Sequence, residues 1–99
     1  MKKFQVYLNL EIMSTKNKLI NSLKKTKNFP CDEIWMKSTD DTSAYVLGRS
    51  YSKFFETFVR TLENGRMLYS NKLCLDPGKF SEDMLKKGYE CVSMRLYTD

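Results

Sequence analysis

Residues 51–65 read YSKFFETFVRTLENG, and the fold turns on how this stretch is taken. At 100° per residue, Tyr51, Phe54, Phe55, Phe58, Val59 and Leu62 fall on one side, while Lys53, Glu56, Thr57, Arg60 and Asn64 fall on the other. Ser50 or Ser52 stands where an N-cap is wanted, Glu56 and Arg60 are four apart, and Gly65 supplies a C-terminal stop. The stretch predicts an amphipathic helix.

Upstream, Lys3 to Ile12 alternates cleanly: Phe4, Val6, Leu8, Leu10 and Ile12 face one way, and Lys3, Gln5, Tyr7, Asn9 and Glu11 the other. That is the pattern of a half-buried strand. Ser14 caps a helix that runs to about Lys25 on a narrow stripe of Leu19, Ile20 and Leu23, before Phe29-Pro30 breaks it. Glu33 to Ser38 predicts a short strand around Ile34, Trp35 and Met36. A turn at Asp40-Asp41-Thr42-Ser43 and a second strand from Ala44 to Leu47 complete a hairpin. Downstream, Arg66 to Leu75 is extended with a break at Ser70-Asn71-Lys72, and Asp76-Pro77-Gly78 turns the chain. Phe80 to Lys87 forms a helix ended by Gly88, and Tyr89 to Tyr97 is a last strand.

The resulting order, β, α, β, β, α, β, α, β, predicts one small α+β domain over residues 1–99. It is a ferredoxin-like βαββαβ sandwich with an appended short helix and strand. Right-handed crossovers would put both long helices on one side of the sheet, with Phe54, Phe55, Phe58 and Leu62 against the first strand and the other sheet face partly open. Two families of this length and layout lack support in the residues. The third strand, Ala44-Tyr45-Val46-Leu47-Gly48, has no basic-Gly-aromatic signature of an RNA-recognition motif, and Met13-Ser14-Thr15-Lys16-Asn17 has no Gly-rich loop of an acylphosphatase.

Composition closes off several chemistries. The 99 residues include no His, so Ser-His-Asp, Cys-His and His-metal arrangements are impossible. Cys31, Cys74 and Cys91 lie 43 and 17 residues apart with no C-x-x-C pair, which predicts free thiols and no structural zinc. The N-terminal segment has no continuous apolar run of a secretion signal, and nothing approaches the roughly 18 apolar residues of a membrane span. These features predict a cytoplasmic protein in a reducing compartment. No cofactor is implied. The acidic pairs Asp32-Glu33, Asp40-Asp41 and Glu82-Asp83 are better explained by turns, solvation and helix starts than by catalysis or metal binding.

Net charge is +5, unevenly spread. Residues 1–30 hold seven lysines against Glu11 alone, a balance of +6. Lys18, Lys24 and Lys25 on the first helix are the candidate partner-binding residues, although an ordinary solvated face accounts for them equally well. Arg49, Ser50, Ser52 and Lys53, at the start of the expected second helix, form a candidate anion site, with plain helix capping the simpler reading. Tyr7 and Trp35 form a candidate exposed aromatic patch on the open sheet face, unless the appended helix covers them.

These readings converge on a small non-enzymatic binding protein that acts through protein-protein contact, in the manner of a phage or mobile-element inhibitor of a host machine. The alternative is sequence-tolerant binding of RNA or single-stranded DNA through the basic first helix. With 13 Lys against 4 Arg, the chain is poorly equipped for base-edge readout.

Overall fold

The computed structural model describes residues 14–95. The expected strand at 3–12 and the end of the expected last strand, including Tyr97, lie outside the described residues. So does Tyr7 of the candidate patch.

Within them the order is α1 (Thr15–Lys25), β1 (Glu33–Lys37), β2 (Asp40–Ser50), β3 (Lys53–Thr61), β4 (Met67–Cys74), α2 (Pro77–Lys86) and β5 (Glu90–Met94). The five strands form one sheet in the order β4-β3-β2-β1-β5, and every neighbouring pair is antiparallel. This is a small α+β domain, with two helices among the described residues. Among the described residues no helix is long and apolar enough to cross a membrane.

The ferredoxin-like arrangement is corrected at residues 51–64, which form strand β3 and its two turns instead of a helix. Six of the nine residues in Lys53–Thr61 are aromatic or β-branched: Phe54, Phe55, Thr57, Phe58, Val59 and Thr61. Such side chains lose rotamer freedom in a helix and pack well on a pleated sheet. The paired apolar residues Phe54-Phe55 and Phe58-Val59 match helical spacing only because a central strand carries apolar groups on both faces. Phe55, Thr57 and Val59 lie opposite Gly48, Val46 and Ala44, while Phe58 lies opposite Tyr45 on the other face.

The turns follow local chemistry. Ser38-Thr39 links β1 to β2, and the Asp40 carboxylate accepts hydrogen bonds from the Thr42 N–H at 3.0 Å, the Thr42 hydroxyl at 2.9 Å and the Ser43 hydroxyl. The residues expected to form a turn therefore prop the start of a strand. Tyr51-Ser52 closes the next hairpin with Tyr51 at φ 58. Gly65, at φ 84, closes the third, where Asn64 accepts from the Arg66 N–H. No break occurs at 70–72, because β4 pairs with β3 from Met67 to Cys74.

Each face of the sheet carries its own helix, and this also departs from the expected one-sided arrangement. On one face Leu19 and Leu23 of α1 join Phe29, Ile34, Met36, Ala44, Val46 and Val59. On the other, Phe80 and Met84 of α2 pack with Trp35, Leu47 and Cys74. The helix ends match the sequence: the Ser14 side chain accepts from the Asn17 N–H at 3.1 Å, and Asp76 accepts from the Lys79 N–H with Pro77 in the first turn. Gly88, at φ 85, terminates α2.

The segment from Phe29 to Asp32 is pressed onto β2. A side chain at Gly48 would meet the Pro30 carbonyl oxygen at 2.0 Å, the Asp32 N–H donates to the Leu47 carbonyl at 2.9 Å, and the Arg49 N–H donates to the Asp32 carboxylate at 2.7 Å. Gly48→Ala should therefore destabilise the fold by about 2 kcal/mol or more. Thr57 is fully buried with its hydroxyl unpaired, so Thr57→Val should be neutral or add about 1 kcal/mol. Urea unfolding followed by circular dichroism measures both.

Candidate interaction surface

Helix α2 starts just beyond the Cys74 end of β4 and hands over to the start of β5, so it crosses its sheet face diagonally. Among the described residues, no element covers the corner made by the second half of β3 and the first half of β4. Strand alternation places Phe58, Arg60, Leu68 and Ser70 there, with Tyr45 and Glu56 bordering it. Phe58, on the central strand β3, is 36% exposed, and Leu68, on the edge strand β4, 53%.

The floor of this corner is an aromatic row. Tyr89 meets Tyr45 edge-on with ring centroids 5.3 Å apart, and Tyr45 meets Phe58 at 4.9 Å with tilted planes. The Lys37 ammonium sits 5.1 Å from the Tyr89 ring centre. Burial, with Tyr45 and Asp40 nearby, raises the Tyr89 phenol above its ordinary value, so it stays neutral and available as a donor. A groove of about 650 Å³ runs from Tyr45 between α2 and β4, bordered by Lys79, Asp83 and Lys87 of the helix. A second hollow of about 320 Å³ adjoins it over Phe58 and Ser70. Lys72 and Glu56 pair across the strands at 3.1 Å where the two hollows meet. The border thus alternates in sign.

The sequence-predicted sites fare differently. Trp35 is buried at 4% exposure, stacked edge-on against Phe80, and its indole N–H donates to Glu33 Oε1 at 2.9 Å. The appended helix covers it, and the Tyr7–Trp35 patch loses its described half. Arg49, Ser50, Ser52 and Lys53 occupy a hairpin and not a helix start, so the helix N-terminus expected to favour an anion is not formed there. Arg49 donates its N–H to Asp32 and its Nε to the Tyr51 carbonyl at 3.3 Å.

Lys18, Lys24 and Lys25 are exposed on α1. Lys18 and Lys25 are seven apart and share a side, while Lys24 and Lys25 occupy the last turn, where cations offset the negative end of the helix dipole. Lys24 also borders a cavity of about 310 Å³ with Cys31, Asp32 and Arg95. Tyr45, Phe58 and Leu68 were missed as a group. No signal in the chain singles them out, because residues 53–61 carry apolar groups on both faces and which of them stay uncovered depends on where α2 crosses the sheet.

The three cysteines are free, and burial pushes each thiol up. Cys31 reaches about 11, through burial first and the adjacent Asp32 carboxylate second. Among the described residues no group of three or more Cys, Asp or Glu side chains is gathered closely enough to hold a metal ion. No family model, no curated protein and no solved structure matches the chain.

The raised Cys31 pKa carries a signed consequence for stability. The folded state holds the thiol neutral where the unfolded chain, with its ordinary value of 9.0, begins to ionise. This contribution is intact below pH 9 and is lost as pH rises from about 9 through about 11. Alkylation of Cys31 in the folded protein should accordingly be slow at pH 8 and accelerate towards pH 11, as peptide mapping after timed iodoacetamide exposure would show.

Proposed function

We propose that this chain is a non-enzymatic binding protein whose target is another protein, held at the open corner over Tyr45, Phe58 and Leu68. One observation carries the reading: an exposed apolar centre, floored by an aromatic row, is bordered by charges of both signs. Aromatic anchors inside a polar rim are how protein interfaces are built. A polyanion would instead favour a border of one sign. Here Glu56 neutralises Lys72, and Asp83 stands among Lys79 and Lys87. A surface of this kind suits an inhibitor that works by occlusion.

Nucleic-acid binding through α1 is the second reading, favoured by one feature: no acidic residue occurs between Glu11 and Asp32, so its lysines face solvent in an uncompensated stretch.

The two readings separate in one experiment. Capture from the native host with Phe58→Asp beside the unmodified chain should lose the protein partner, by at least tenfold, while far-UV circular dichroism is retained. Binding to generic RNA and single-stranded DNA, measured at about 50 and 200 mM salt, should be weak and not fall steeply. A partner retained by Phe58→Asp, or steep salt-dependent nucleic-acid binding, overturns the proposal.

A further inference from the structure

The outer side of β4 pairs with nothing among the described residues. Of the two sheet edges it is the longer and straighter: β4 has eight residues in unbroken register with β3, whereas β5 has five and a register shift. The hairpin fixes which way its backbone groups point. The Leu62 N–H donates to the Arg66 carbonyl at 2.7 Å, so 62 and 66 form a hydrogen-bonded pair, and the alternation along the ladder follows from it. Leu68, Ser70, Lys72 and Cys74 turn their N–H and C=O groups towards β3, while Met67, Tyr69, Asn71 and Leu73 turn theirs outwards. Such an edge is a template for one more strand, and it carries no proline and no bulge to discourage one.

The order of side chains along this edge is symmetric. Met67-Leu68-Tyr69 and Leu73-Cys74-Leu75 are apolar triplets, and Ser70-Asn71-Lys72 between them is a polar one. Since β4 runs unbroken through the polar triplet, Asn71 is the centre of a strand whose two ends match. Large apolar side chains lie open on both sides of that centre: Leu68 is 53% exposed, Tyr69 47%, Leu73 46% and Leu75, just past the end of the strand, 88%.

We propose that a second copy of this chain occupies the β4 edge, the two β4 strands running antiparallel about a two-fold axis at Asn71. An unrelated strand would need the same order of side chains to fit, whereas a second copy supplies it by symmetry. Few registers are open to it, because the two-fold keeps every residue on its own side of the sheet and facing residues must share a side. Centred on Asn71, the pairing sets Tyr69 beside Leu73 of the second copy and Met67 beside its Leu75 on the α1 side, with Leu68 beside its Cys74 on the other. Lys72, the charged residue of the strand, meets Ser70, so no like charges face each other. The outward N–H and C=O groups of Tyr69, Asn71 and Leu73 find partners in the same register. Centred on Ser70, Tyr69 would face Asn71 and Leu68 would face Lys72; centred on Lys72, Leu73 would face Asn71. Both set apolar side chains against polar ones. Phe58 and Tyr45 lie inward of the edge and take no part, so the pairing does not depend on what the corner binds.

Sedimentation equilibrium of the full chain, with Asn71→Pro beside it, tests the pairing. The substitution removes an N–H that β3 does not use, at an edge position where proline is tolerated, so far-UV circular dichroism should stay native. The unmodified chain should show twice the mass of one chain, and Asn71→Pro should associate at least tenfold more weakly. In a mixed isotopically labelled and unlabelled sample, nuclear Overhauser contacts between molecules should join the Tyr69 ring to Leu73 of the second copy. Should the variant not fold, those contacts decide alone. A folded Asn71→Pro that dimerises as well as the unmodified chain overturns the proposal, and so do intermolecular contacts of Tyr69 with Asn71 in place of Leu73. An unmodified chain that stays monomeric at the concentration of the labelled sample overturns it too. Protection of the Tyr69 and Leu73 amides from exchange in that monomer would make another part of the same chain the occupant.

Discussion

Eight consecutive cross-strand pairs, from Ser43↔Arg60 to Ser50↔Lys53, hold the β2–β3 hairpin in one register, and the rest of the molecule is built on that constraint. Because side chains alternate, the pairing sends Ala44, Val46, Thr57 and Val59 to α1, and Tyr45, Leu47, Glu56 and Phe58 to the α2 face. A slip of one residue would exchange the two sets. It would place a fully buried Val59 in the open corner and the Glu56 carboxylate in the α1 core, where nothing would pair it. Gly48 reinforces the choice, since the backbone at Pro30 lies against it and only the observed face admits that approach.

The sequence was most legible where backbone chemistry is local. Ser14 begins α1, Asp76-Pro77 begins α2 and Gly88 ends it, each through hydrogen bonds or dihedral angles that a few adjacent residues specify on their own. The strand around Ile34, Trp35 and Met36 was legible for a related reason, its three bulky residues dividing between the two faces. Residues 51–64 were not, because a strand covered on both faces carries no simple polar alternation and its doublets imitate helical spacing. Asp40 to Ser43 show the complementary failure. Their turn-forming side chains are hydrogen-bonded as expected, yet around the first residues of a strand.

The open corner could not have been read from the chain at all. Phe58 and Val59 are adjacent, of similar hydrophobicity, and one is 36% exposed while the other is fully buried. What separates them is the diagonal of α2, set by where β4 ends and β5 begins, and that depends on the strand order. The same dependence hides Trp35, which looks like an exposed anchor in a two-residue alternation but lies under Phe80 once α2 is in place. Candidate sites inferred from residue type alone are thus sensitive to which face a later element covers.

The positive charge and the aromatic corner lie on opposite sides of the sheet, and this limits what each can do. Lys18 and Lys25 belong to α1, whereas Tyr45 and Phe58 face the α2 side, so a partner seated on the corner cannot also close ion pairs with those lysines across the sheet. Facing sheets and helices are spaced by about 10 Å, and the Debye length at physiological salt is about 8 Å. For the proposed protein partner, α1 at that separation would be a diffuse, screened field that changes how often encounters succeed. The lifetime of the proposed complex would then rest on the corner, where desolvated aromatic contact operates only at short range. In the proposed function, a basic helix and an apolar patch so arranged would divide binding between encounter and retention, with neither substituting for the other.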